Sequence, residues 1–185
     1  MIPVNQRIIL DLCGGTGAWS RDYAEAGYDV RNITLPDYDV RDYVPPNNVY
    51  GILAAPPCNE FSIAKGSQPR DFGKGMKIVK ACLECIWIAR MDGVLRWWCL
   101  ENPRGFLRQF LGKPAYTIRY WWYGDGLDKL TDLWGYFNLP PRRYKEPPEL
   151  LEKIKSMPGG TEEERNLHRA VTPPCFAQAF FKANP

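Results

Sequence analysis

"RIILDLCGGTGAWSRDYAEAGYDVRNITL", residues 7–35, carries the architecture. An apolar run from Arg7 to Leu12 stops at the glycines of "CGGTG" (13–17); helix formers follow in "AWSRDYAEAG" (18–27), and a second apolar run covers 28–35. This order predicts strand, tight turn, helix and strand, with Gly27 as the helix cap. Further on, "VYGILAA" (49–55) reads as a strand, "GMKIVKACLECIWIARMDG" (75–93) as a helix and "RWWCLEN" (96–102) as a strand. Such alternation predicts an α/β fold with a mostly parallel sheet covered by helices on both faces. Beyond Pro114, "AYTIRYWWYGDG" (115–126) predicts a strand and "DLWGYF" (132–137) another, in position to form a hairpin. Residues 140–161 read as a surface excursion with a charged helix-like piece, "PELLEKIKSM" (148–157). "TPPCFAQAFFKANP" (172–185) reads as a turn and a short helix with an apolar face.

With 185 residues, 45% of them hydrophobic, the chain suits one domain with a substantial core. A net charge of +3 permits a polyanionic partner without demanding one, so any basic surface must be local. Six cysteines and no secretory leader predict a reducing, cytoplasmic setting, and the apolar runs are too short to span a membrane. Cys82 and Cys85 form a CxxC inside a helical pattern, and His168 is the only histidine. A closed zinc site wants four ligands, so the pair reads as core and no metal is expected.

Two strand ends carry the candidate chemistry. In "GILAAPPCNEFS" (51–62), Pro56 and Pro57 end a strand because proline lacks the amide hydrogen a central strand needs, which leaves Cys58 at the mouth of a sheet. A thiol there is either a small core residue or a nucleophile. In the glycine turn, Asp11, Leu12, Cys13, Gly14, Gly15, Thr16 and Gly17 allow a ligand to approach the backbone. The GxGxxG spacing and the P-loop lysine are both missing, so the turn is either a plain strand-to-helix connection or a site for a ligand with little phosphate. Asp11 suits a cationic one, such as the sulfonium and amino-acid part of S-adenosylmethionine. Asp39 and Asp42 read as acceptors for an adenine amino group or as solvated loop carboxylates.

"DLCGGTG", "PPCNEFS" and "LENPRG", in that order, resemble the motifs of the DNA cytosine-5 methyltransferases, and the likeness runs over 9–138 and 169–184. The resemblance implies a Rossmann-like S-adenosylmethionine-dependent methyltransferase fold with an antiparallel strand near the C-terminal edge. It implies one catalytic domain over 1–185, with about 139–168 a reduced insertion in place of a target recognition domain, as in a phage or mobile-element form. S-adenosylmethionine is the cofactor it implies and DNA the partner. Pro57 and Cys58 match the catalytic loop, Phe61 and Ser62 its trailing Phe-Ser, and Glu101 and Asn102 the Glu-Asn pair. Aligned on Tyr123 and Gly124, the family's Arg-x-Arg pair falls on Lys129 and Thr131. Asp11 through Gly17, Asp39, Val40 and Pro56 fall on the cofactor side.

The implied chemistry needs this set. Cytosine C5 is a poor nucleophile until a thiolate adds to C6; Cys58 would supply it, a protonated Glu101 would donate to ring N3, and Asn102 and Lys129 would hold the base. Glu101 as a buried carboxylate capping the turn at Pro103, and Lys129 as a solvated turn residue, are the structural alternatives. Departures from the family pattern are Cys13 for an aromatic residue, Thr34 for the acid at the end of strand two, Pro103 for valine, and Thr131 for arginine. Arg142, Arg143, Lys145 and the glycine-rich loop "KGSQPRDFGKG" (65–75) read as phosphate contacts, the loop also as a cover for an extruded base, or as ordinary surface charge. Trp97, Trp98, Trp121 and Trp122 read as stacking residues or, as strand neighbours pointing to opposite faces, as packing residues with at least one of each pair in the core. A free cytosine nucleotide or RNA as substrate, or a noncatalytic binding module on the same fold, are the competing functions.

Overall fold

The computed structural model describes residues 2–148 and 171–185; the helix-like piece expected at 148–157 lies, but for Pro148, outside the described residues. In chain order the elements are β1 (Ile8–Leu12), α1 (Arg21–Glu25), β2 (Asp29–Ile33), β3 (Val49–Ala54), α2 (Phe72–Met91), β4 (Trp97–Pro103), α3 (Arg108–Leu111), β5 (Tyr116–Arg119), β6 (Leu130–Tyr136) and α4 (Pro174–Ala183). The six strands form one sheet in the order β2-β1-β3-β4-β6-β5. β1 pairs in parallel with β2 and β3, and β3 with β4; only β6 runs antiparallel to its neighbours, β4 and β5. This is a mostly parallel α/β sheet, compatible with a Rossmann-like fold.

Alternation along the strands builds two cores. Ile8, Leu10, Leu12, Ile52, Ala54 and Leu100 face α2, whose Val79, Cys82, Cys85 and Ile86 pack on them. Ile9, Leu53, Trp97 and Cys99 point to the other face, against Trp19, Tyr23 and the α4 residues Phe176, Ala177 and Phe180. Period-2 burial on both faces is what helices on both sides require. Trp97 and Trp98 separate as strand neighbours should, one into each core. Cys82 and Cys85 are buried on the inner face of α2.

Three expectations change. The helix after the glycine turn has only five residues, because turns occupy Gly15–Ser20; Gly27, at φ +87°, ends it as expected. The strand expected over 115–126 is confined to Tyr116–Arg119, and Tyr120–Tyr123 coil into a 3-10 turn. Burial of Trp121 beside the half-buried Trp122 therefore follows from that turn and not from strand alternation. β5 does pair with β6 as the hairpin reading expected. Finally, α2 starts at Phe72 and not at 75, because the Asp71 carboxylate accepts from the Lys74 amide and caps it.

Candidate active site

β1 and β3 lie side by side while the chain leaves β1 toward β2, so the sheet's switch point falls between the ends of β1 and β3. In open α/β sheets the crevice at this point is where ligands sit. The glycine turn follows β1 and the Pro-Cys loop follows β3, one on each side of it. The end of β4, the 3-10 turn after β5 and the start of β6 share this carboxyl edge, since β6 runs antiparallel.

The Pro-Cys side is held by its neighbour loop. Pro56 is buried, and its carbonyl accepts from Asn102 Nδ2 at 2.9 Å, so the Asn102 amide serves the backbone beneath Cys58. The Cys58 carbonyl accepts from the Phe61 and Ser62 amides at 2.9 and 2.8 Å, closing a turn around the half-buried thiol. Ser62 bridges Gly105, and the Phe106 amide donates to the Phe61 carbonyl at 2.8 Å. A Cβ on Gly105 would lie 2.2 Å from that carbonyl oxygen, so this contact admits only glycine. "PPCNEFS" and "LENPRG" are thus two halves of one clasp.

Glu101 is buried at the end of β4, and Tyr120 donates its hydroxyl to Glu101 Oε1 at 3.1 Å. Lys129 Nζ stands 3.8 Å from the same oxygen. The set couples to Cys58: burial pushes the thiol's pKa up, the Lys129 charge pulls it down, and the Glu101 charge pushes it up again. Cys58, Glu101, Asn102 and Lys129 are therefore brought together. Glu101 does not cap the turn at Pro103; β4 continues through Pro103, which pairs with Thr131.

Other expected residues take different roles. Phe61 is fully buried in the α2-side core, so its side chain supports the loop and touches no substrate. Ser62 Oγ accepts from the Ala64 amide at 3.2 Å and caps a short 3-10 turn, while Pro57 is exposed. Thr131 is fully buried on β6, beside Tyr120. The loop after Cys58 is held by contacts to Glu60. Lys65 pairs with Glu60, Arg70 donates to the Glu60 carbonyl at 3.0 Å and lies over the Phe106 ring, and the Asp71 amide donates to Glu60. Arg142, Arg143 and Lys145 are exposed, with the Arg142 guanidinium 3.3 Å from the Trp122 ring centroid.

On the glycine side, Asp11 is fully buried at the end of β1; Ser20 Oγ donates to its Oδ2 at 2.6 Å, and its Oδ1 has no partner. Burial raises the Asp11 pKa to about 6 against the lowering effect of the Ser20 bond. A Cβ on Gly14 would lie 2.3 Å from Asp11 Cγ, so the turn closes directly over the carboxyl. Gly15 and Gly17 take positive φ, and so does Cys13 at +58°, whose sulfur lies 3.9 Å from that of Cys82. Gly15 and Thr16 are exposed, Leu12 is buried, and Asn32 Nδ2 donates to the Gly15 carbonyl at 2.9 Å. A cavity of about 380 Å³ adjoins Asn32, lined also by Val30, Arg31, Ile33, Tyr38 and Tyr43. Val40 is core, and Asp39 is tied to Arg41 through both carboxylate oxygens, which lowers its pKa to about 2.

Tyr120 is the member that sequence reading missed, because a 3-10 turn where a strand was expected brings its hydroxyl to Glu101. Asp125 is another structural surprise: its carboxylate accepts from the Cys175 and Phe176 amides at 3.0 and 2.9 Å and so caps α4 from fifty residues away. No metal-ligand cluster occurs among the described residues, and no helix among them is long and apolar enough to cross a membrane. No protein-family model and no curated protein matches the chain.

Proposed function

We propose that the protein is an S-adenosylmethionine-dependent methyltransferase that modifies C5 of cytosine in DNA through a covalent Cys58–C6 adduct. The observation that carries this is the convergence of the Cys58 thiol, the Glu101 carboxyl and the Lys129 ammonium on the carboxyl edge of a mostly parallel sheet, beside its switch point.

The glycine side fits the cofactor. A buried carboxylate with one unpartnered oxygen suits a cationic group, and the exposed, positive-φ Gly15 leaves the turn's backbone open to approach. Asp11 and the 13–17 turn would hold the amino-acid and sulfonium part. When bound, S-adenosylmethionine supplies an electrophilic methyl group, whose bond to sulfur breaks as C5 of the base forms its new bond.

Cys58, as the thiolate, forms the S–C6 bond, and the ring's displaced electron pair is carried toward C5. Glu101 is protonated while the thiolate forms, so that no carboxylate charge opposes it, and then donates its proton to N3, which neutralises the ring as sulfur bonds to C6. Lys129 stabilises that thiolate before it adds, and again as it leaves. After transfer the C5 proton leaves to water, the S–C6 electron pair returns to Cys58, and the N3 proton returns to Glu101. Arg142, Arg143 and Lys145 provide a cationic surface for phosphates.

Incubation with methyl-labelled S-adenosylmethionine and duplex DNA, single-stranded DNA, RNA or dCTP tests the reading. Label enters DNA, and Cys58→Ala lowers transfer by at least about 10⁴-fold. Transfer to dCTP or RNA alone would move the substrate to the free nucleotide or RNA; transfer to none would sink the proposal.

A further inference from the structure

We propose that Tyr120 is the positioning residue of Glu101: its hydroxyl holds Oε1 of the carboxyl, so that Oε2 is the oxygen offered to the base. This rests on the function proposed above and adds to it the group that sets the direction of the acid.

Tyr120 opens the 3-10 turn after β5 and is only 1% exposed. Its ring meets the Phe176 ring of α4 edge-on, with centroids 5.4 Å apart, and the Lys129 ammonium stands 5.7 Å from its centroid. Thr131, fully buried on β6, faces the hydroxyl, and its short side chain leaves room for it. The ring is therefore packed on several sides, and a tyrosine has only two torsions to fix. The hydroxyl donates to Glu101 Oε1 at 3.1 Å. Burial and the Glu101 charge raise the Tyr120 pKa well above the usual tyrosine value, so it stays a protonated donor throughout the working pH range.

Lys129 meets the same oxygen at 3.8 Å, an ion-pair distance beyond hydrogen-bond reach, on a flexible four-carbon stem. Charge and direction are thus divided: the lysine supplies an isotropic field, and the tyrosine supplies an oriented bond. A proton donor must reach its acceptor at about 2.6–3.2 Å, so an acid anchored through one oxygen presents the other reproducibly.

Tyr120→Phe removes the hydroxyl and keeps the packed ring. With the wild-type enzyme turning over as proposed, the variant is expected to lose about tenfold in kcat with KM for DNA and cofactor unchanged, and adduct formation with 5-fluorocytosine DNA slows by the same factor. In a Glu101→Gln background the same change has less than about a twofold effect, since a residue that acts through Glu101 has nothing left to direct. An unchanged kcat in Tyr120→Phe, or an equal loss in both backgrounds, overturns the assignment. A second measurement needs no change at Tyr120: its hydroxyl proton resonance shifts in Glu101→Gln, and an unshifted resonance also overturns it. A wild-type protein without methyl transfer or adduct fails at the earlier step, and that outcome overturns the proposed function and this role together.

Discussion

The two halves of the carboxyl edge are held in different ways. On the Pro-Cys side, loops from β3 and β4 lock through backbone contacts, Ser62 to Gly105 and Phe106 to Phe61, with Asn102 bonded to Pro56 beneath the thiol. On the glycine side, the turn after β1 is held by its own backbone, Gly17 to Gly14, by the end of β2, Cys13 to Ile33, and by the side chains of Ser20 on Asp11 and Asn32 on Gly15, and β2 is the edge of the sheet. One half is a clasp around a thiol. The other is a glycine turn with Gly15 and Thr16 exposed above a buried carboxyl. Covalent chemistry needs sulfur and acid in fixed relation, whereas a ligand site has to admit and release its guest.

Gly105→Ala breaks this contrast most severely. The added methyl meets a backbone carbonyl at 2.2 Å, with no flexible side chain able to yield. The clasp must open, at an expected loss of about 3–4 kcal/mol of stability together with most of the activity. Denaturant unfolding and single-turnover methyl transfer check both; a variant with wild-type stability and rate would show that the two loops are not interdependent.

Asp11 sharpens the other half, through pH. Its pKa in the folded protein is about 6, against 3.8 for an ordinary aspartate, so between those values the native state binds more protons than the unfolded one. Stability from this group therefore falls as pH rises from about 4 to 6, by about 2–3 kcal/mol in all, and Asp11→Asn flattens that slope. A cationic ligand favours the charged form, so affinity for S-adenosylmethionine rises through the same window in the wild type and not in the variant. Calorimetry at pH 5 and pH 7 reads this directly; equal affinity at the two pH values would remove Asp11 from the cofactor site.

The same division explains what was legible in the sequence. Alternating apolar runs gave β1, β3, β4 and α2, because central parallel strands and the helix over them are fixed by hydrophobic period. The prolines after β3 and the glycines after β1 located both loops, since each restricts or frees the backbone locally. Contacts that depend on long-range placement were not legible. Tyr120 reads as a strand residue until the chain coils after Arg119, and Asp125 reads as a turn acid until α4 arrives to be capped. Phe61 shows the reverse: a motif position suggests substrate contact, while its full burial assigns it to the core. The short helix after the glycine turn belongs to this class as well, since its apolar content, Trp19 and Tyr23, is satisfied by packing on α4 and Trp97 from a turn as readily as from a longer helix.

The smallest expected effect tests whether the glycine half is limited by a contact within the chain itself. Asp39 lies in the loop after β2, where an adenine amino group would need an acceptor, yet Arg41 engages both of its carboxylate oxygens and its own amide donates to Oδ1. The Arg41 bonds lower the Asp39 pKa to about 2, so the carboxylate is charged at every working pH and its availability depends on geometry alone. Arg41 is exposed, and an exposed pair of this kind is weak and screened by salt, so its release should change ligand affinity by no more than about fivefold. Arg41→Ala is therefore expected to tighten S-adenosylmethionine binding two- to fivefold, with the gain smaller at high salt where the wild-type pair is already loosened. Weaker binding would instead make Arg41 the organiser of the loop, holding Asp39 in place for the ligand; unchanged binding would put Asp39 outside the cofactor site and leave Asp11 as the acid that defines it.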